Sequence, residues 1–261
     1  MMPLLPNKSI PYHLHLDDRR FEEFVRDLYY QDIQEGIFGN KFDDVVLLSG
    51  NKEQGRGCIL YKNGNSVGVI QCKRYDKSLT KPESAREIIK FCLYSIIYPD
   101  FIFDINTFEY HFVGSSGFNN HATPFLKNFS NKILQEVELD NWINQVIQEN
   151  KTLEIIDITQ IKSQLYDILS NITIIPIIGT ELDRKLSHEH NKNLYNKYFE
   201  TKIVVDATAL FPIEKKIDSL NKPITIYSPE LLDELENASM DCQFLTAKCQ
   251  FWTNCTPGKN H

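Results

Sequence analysis

The stretch Val67 to Tyr75, V-G-V-I-Q-C-K-R-Y, constrains this chain most. Read as a strand, it sends Val67, Val69, Gln71 and Lys73 to one side and Gly68, Ile70, Cys72 and Arg74 to the other. The strand begins apolar and ends with Gln and Lys on one face. It therefore carries two polar groups out of a buried sheet, side by side. Buried Lys is rare without a partner, so an anionic group is expected beside Lys73. The alternative is an edge strand whose last residues are solvated.

Upstream, Cys58-Ile59-Leu60-Tyr61 is a short apolar run separated from the Val67 strand by Lys62-Asn63-Gly64-Asn65. Asn-Gly between apolar runs predicts a tight hairpin. Earlier still, Phe21, Phe24, Val25 and Leu28 recur at helical spacing, with Asp17 or Asp18 as N-cap. Glu22 sits in that helix beside its apolar face. The order is helix with Glu, strand, tight turn, strand ending Gln-x-Lys, helix.

Three segments then carry a resemblance: Phe21-Glu22, Gly55-Arg56-Gly57-Cys58-Ile59 entering a strand, and Val69-Ile70-Gln71-Cys72-Lys73-Arg74-Tyr75. They resemble the Mrr-like branch of the PD-(D/E)xK restriction-endonuclease superfamily, in which the third motif is often Q-x-K. The turn Ser115-Ser116-Gly117-Phe118, with Ala122 following, is similar too. The resemblance covers roughly the first half of the chain. It implies an α/β fold with a restriction-endonuclease-like central mixed β-sheet flanked by helices, followed here by a mainly helical C-terminal region. The chain departs from the family at one position. Where the family usually has G-x-D, with Asp as principal metal ligand, this chain has Gly55-Arg56-Gly57. Asp43, Asp44 and Glu53 are the nearby carboxylates.

At 261 residues with a formal charge of −7, the chain does not coat nucleic acid by bulk electrostatics, although a local basic face remains compatible. Gln71 to Lys90 holds six basic residues against three acidic ones. That surplus follows directly after the proposed site, as a phosphate-contacting surface or as a solvated helix face. Of six cysteines, Cys58, Cys72 and Cys92 lie in apolar stretches and read as buried small hydrophobes. Met1 to Pro6 is too short and Pro-broken for a secretory leader. No apolar run approaches the ~18 residues that span a membrane. A reduced, cytoplasmic setting is expected.

Along the chain, residues 1–16 read as an irregular lead-in, with the Glu22 helix then running to about Ile33. Val45 to Leu48 is the first strand. Thr80-Lys81-Pro82-Glu83 opens a helix whose apolar face is Ala85, Ile88, Ile89, Cys92 and Ile96. Phe108 to Val113 is a strand and Asn119 to Phe129 a helix. These define a nuclease-like domain over residues 1–130, a mainly helical accessory region over 131–240 and an irregular tail over 241–261. Within the second, Ile172 to Ile178 is a buried strand or extended run, Thr180 to Phe199 a polar helix, and Ile203 to Val205 a short strand.

Three other constellations are weaker. Cys242, Cys249, Cys255 and His261 do not fit common zinc spacings. Thr256-Pro257-Gly258-Lys259 lacks the first Gly of a phosphate loop. His188-Glu189-His190 lacks the i, i+4 pair of a metallohydrolase helix and reads as a solvated helical segment.

The resemblance implies Mg²⁺-dependent phosphodiester hydrolysis of double-stranded DNA. Glu22 helps hold the ion, Gln71 offers its carbonyl oxygen, and Lys73 positions the water and offsets developing charge. Glu53 is the candidate substitute carboxylate, and Arg74, Lys77 and Lys81 are the candidate DNA contacts. Three hypotheses follow: an active endonuclease in defence against foreign DNA, a catalytically silent DNA-binding or assembly module of the same fold, or an N-terminal piece of a larger defence protein. A homodimer or a larger defence complex is an expected partner arrangement, and no membrane is expected.

Overall fold

The computed structural model describes residues 12–48 and 54–199. After a 3-10 turn at Tyr12–His15, helix α1 spans Asp18–Gln34. Asp17 caps it, its side chain accepting from the Arg20 amide at 2.8 Å. The face made by Phe21, Phe24, Val25 and Leu28 is fully buried. The helix closes into a turn in which Gly36 and Gly39 both take the left-handed conformation.

Strands β1 (Asp44–Leu47), β2 (Cys58–Lys62) and β3 (Asn65–Lys73) follow, each antiparallel to the last. The β2–β3 turn falls where expected. Asn63 and Gly64 have φ of +50° and +78°, the pair of left-handed residues that a two-residue turn matched to strand twist requires. Helix α2 (Lys81–Ile97) starts with a complete capping box between Thr80 and Glu83 and has Pro82 in its first turn. It crosses to β4 (Glu109–Gly114), which pairs parallel with β3. The approach is close: a Cβ on Gly68 would lie 2.7 Å from the Glu109 carbonyl oxygen.

Asn119 to Phe129 differs from the single helix its pattern predicts. It forms a short helix α3 (Ala122–Leu126), and a second, α4 (Phe129–Lys132), begins after a break at Asn128. The break lets Phe125 and Phe129 both turn inward, edge to face at 5.3 Å. Helices α5 (Leu139–Glu149) and α6 (Ile158–Asn171) lead to β5 (Thr173–Ile178), parallel to β4. Residues 131–199, expected as an accessory helical region, thus supply the fifth strand of the same sheet, and the described residues belong to one compact unit. The polar helix expected from Thr180 to Phe199 is two helices, α7 (Gly179–Leu186) and α8 (Lys192–Phe199), separated by a 3-10 turn. The strand at 203–205, the accessory region beyond residue 199, the tail with its cysteines and Thr256–Lys259 lie outside the described residues.

The five strands run in the order β1-β2-β3-β4-β5. Strand alternation splits the core in two. Val69, Tyr110 and Phe112 pack with Ile88, Phe91 and Cys92 of α2 and with α5 and α6. Leu60, Ile70, Cys72 and Val113 pack with α1, α7 and α8. Each fully buried Phe or Leu adds roughly 1.5–3 kcal/mol of transfer free energy, so each face is anchored by several such residues.

Candidate functional site

The end of β3 is where the chemistry collects. Val69 faces α2, so Gln71 and Lys73, two and four residues on in the same strand, face α2 as well. Gln71 is only 4% exposed. Its Nε2 donates a long bond of 3.4 Å to the Cys72 carbonyl, and its Oε1 has no hydrogen-bond partner among the described residues. Lys73 Nζ makes an ion pair of 2.9 Å with Glu87 Oε1. This is the anionic group that a half-buried strand-end Lys requires, and it comes from α2. Lys90, one turn further along α2, sits 3.2 Å from Glu87 Oε2. Burial alone would raise the Glu87 carboxyl, but the charges of Lys73 and Lys90 outweigh it and hold the group below its ordinary value. Next to this pair, burial and the charge of Glu87 push the Tyr110 hydroxyl well above the usual range, and it donates to the Gly55 carbonyl at 3.4 Å.

Glu22 approaches the same end of the sheet from α1. A Cβ built on Gly57 would lie 3.8 Å from Glu22 Oε1 and 3.7 Å from the Cys72 amide nitrogen. The Glu22 carboxylate therefore lies close to Gly57, the residue just before β2. Arg19 pairs with Glu22 at 3.4 Å and donates to the Leu48 carbonyl at 2.9 Å. Gly57 itself is locked in place: its amide donates to the Ile70 carbonyl, and its own carbonyl accepts from Leu48, both at 2.9 Å.

The remaining candidates separate. Asp44 is at the far end of β1. It pairs with Tyr61, whereas Leu47 pairs with Cys58, which in turn faces Ile70. Asp43 accepts from the Asn63 amide at the hairpin turn, so neither serves the site. Glu53 lies outside the described residues. Arg74 is a structural clamp, donating to the carbonyls of Leu16 and Leu14 at 3.0 and 3.1 Å and to Asp76 at 2.7 Å. Lys81 is held by Glu136 at 2.8 Å, and Arg86 donates to Gln145 at 2.8 Å. Lys77 is exposed in the β3–α2 loop. His190, in the segment expected to be solvated, instead reaches the buried Asp32 at 3.0 Å.

Glu87 is the residue that sequence reasoning missed. A signal for it existed: it sits among Ser84, Ile88 and Phe91, all buried, and so lies against the inward stripe of α2. An acid at such a position needs a cation opposite.

Gln71 Oε1, the Glu87 carboxylate and the Glu22 carboxylate are hard oxygen donors of the kind Mg²⁺ takes. The buried, donor-less Gln71 oxygen is the acceptor such an ion would satisfy. Among the described residues no cluster of three or more His, Cys, Asp or Glu could hold a metal. No helix among them is long and apolar enough to cross a membrane. Comparison with protein-family models, curated proteins and solved structures gives no match.

Proposed function

We propose that this domain is a Mrr-like, restriction-endonuclease-like module that hydrolyses phosphodiester bonds of double-stranded DNA with a divalent metal, in defence against foreign DNA. One observation carries the reading. Lys73 at the end of β3 is ion-paired with Glu87 on the face where buried Gln71 keeps an unpaired acceptor oxygen. A lysine beside a carboxylate and an amide oxygen at a strand end is a water-positioning and charge-stabilising group beside oxygen ligands.

Gln71 and Glu87, both on the α2 face, are the residues that would hold Mg²⁺, and Glu22 would help from α1 through water. Bound there, the ion supplies Lewis-acid polarisation and lowers the pKa of its water. Lys73 orients the attacking water and offsets negative charge on the phosphoryl oxygens. Glu87 restrains the Lys73 ammonium and contributes the negative charge that Gln71 lacks. Arg74 and Lys81 are committed to intramolecular partners, so Lys77 carries the larger share of the expected phosphate contact. A homodimer or larger defence complex goes with this reading. So does a cytoplasmic setting, since the described cysteines 58, 72 and 92 are free and buried.

A second reading is favoured by Gly57, which offers no side chain where an anchoring carboxylate would stand beside Glu22. In that reading the fold binds DNA or assembles without cutting. Plasmid cleavage in Mg²⁺ or Mn²⁺ separates the two. Cutting by the natural chain that is lost in both Glu87→Gln and Lys73→Ala supports the endonuclease. No cutting by the natural chain, with cutting gained in Gly57→Asp, supports the silent module. No cutting by either protein removes the nuclease reading.

A further inference from the structure

A polar cleft of about 300 Å³ opens between α2 and α5, and Glu87 is one of its walls. Glu87 thus borders both the cleft and the Lys73 pair. Its size is at the low end for small-ligand pockets, roughly 300–1,000 Å³, which suits one planar group and nothing larger. Its charges nearly balance, with Glu83, Glu87 and Glu149 against Arg86 and Lys90. A trough for phosphates would carry a clear positive surplus; this lining does not. Glu83, Arg86, Glu87 and Lys90 keep intramolecular partners, which leaves the exposed Glu149 carboxylate to accept from an N–H group on the edge of a nucleobase. Tyr75, 47% exposed, stands at the rim two residues beyond Lys73, where an aromatic face can stack a base.

We propose that this cleft receives one unpaired nucleobase adjacent to the phosphate held at Lys73, so that the substrate is duplex DNA with a base taken out of the stack. The proposal rests on the DNA-endonuclease reading. Extruding a base from an intact duplex costs free energy, least where the base is already unpaired. A duplex with a single-nucleotide bulge therefore presents the base at lower cost.

The test uses the full chain and two fluorescein-labelled 20-mer duplexes, one fully paired and one with a central one-nucleotide bulge, followed by fluorescence anisotropy in Ca²⁺. Tyr75→Ala and Glu149→Gln, both at exposed positions, serve as cleft variants. The expected result is binding of the bulged duplex about tenfold tighter or more, with the preference lost in both variants and paired-duplex affinity unchanged. Equal binding of the two duplexes, or a preference that survives both variants, overturns the cleft assignment while leaving the DNA reading intact. Binding of neither duplex overturns both.

Discussion

The two ends of the β3–β4 pair hold polar clusters of opposite character. At one end, where Gly68 faces Glu109, every group of the cluster is satisfied. Tyr29 and His111 Nδ1 share a hydrogen bond of 2.7 Å, His111 Nε2 meets Glu109 Oε2 at 3.0 Å, and Lys41 holds Glu109 Oε1 at 2.6 Å. At the other end, where Lys73 faces Gly114, Gln71 Oε1 is buried without a donor. Both belong to one sheet, but the closed cluster faces α1, where Tyr29 meets His111, and the open one faces α2, where Glu87 meets Lys73. A fully paired buried network is a structural device. A buried acceptor left open costs stability and calls for a ligand or a reaction to explain it.

The sharpest way to break this contrast is Glu87→Gln. If the open end is the reactive one, metal-dependent cleavage falls about 10²-fold or more, the scale of losing a positioned charged group. Plasmid nicking at fixed protein concentration reads it, and an unchanged rate removes Glu87 from the site. The counterpart at the closed end is Tyr29→Phe. It leaves His111 Nδ1 buried without its partner, costing about 1–3 kcal/mol, measured by denaturant unfolding, with cleavage chemistry unaltered.

A third test uses pH. Burial lowers the His111 pKa below its ordinary value. The unfolded chain therefore takes up a proton on His111 near pH 6.5 while the folded chain does not, and stability drops as pH falls below that point. Glu109, held by the His111 hydrogen bond at about 2, adds stability above its unfolded value that is lost as pH falls further towards 2. The Tm should decline from pH 7.5 to 5.5, and His111→Gln should flatten that decline. A slope that persists unchanged would place the titrating group elsewhere.

The smallest effect is expected for Gln71→Leu. It removes an acceptor that already lacks a donor, so stability should change by less than about 1 kcal/mol or improve. A loss comparable to that of Tyr29→Phe would show that the Gln71 amide is satisfied after all, and the contrast between the ends would collapse.

Much of the frame was legible because the rules that set it are local. Asp17 and Thr80 cap their helices within three residues of themselves. Asn63-Gly64 sets a turn by backbone conformation alone, and alternation puts Gln71 and Lys73 on one face. The expected helices at 119–129 and 180–199 were too long because period and polarity do not reveal where Asn128 and Ser187–Asn191 break the chain to turn aromatic or polar groups inward.

What tertiary structure alone decided is which side chains meet. Asp44 and Glu53 were the nearby acids in sequence, yet β1 runs so that Asp44 lies at the wrong end of the sheet. Glu87 is carried back to Lys73 only because α2 packs its Ser84–Ile88–Phe91 stripe against the face bearing Val69. Glu22 reaches Gly57 only because α1 buries Phe21 and Val25 on the other face. Sequence fixes a residue's face on its own element through helical or strand period. The rotation and register of one element on another come from close packing of both faces at once, and no local pattern encodes them.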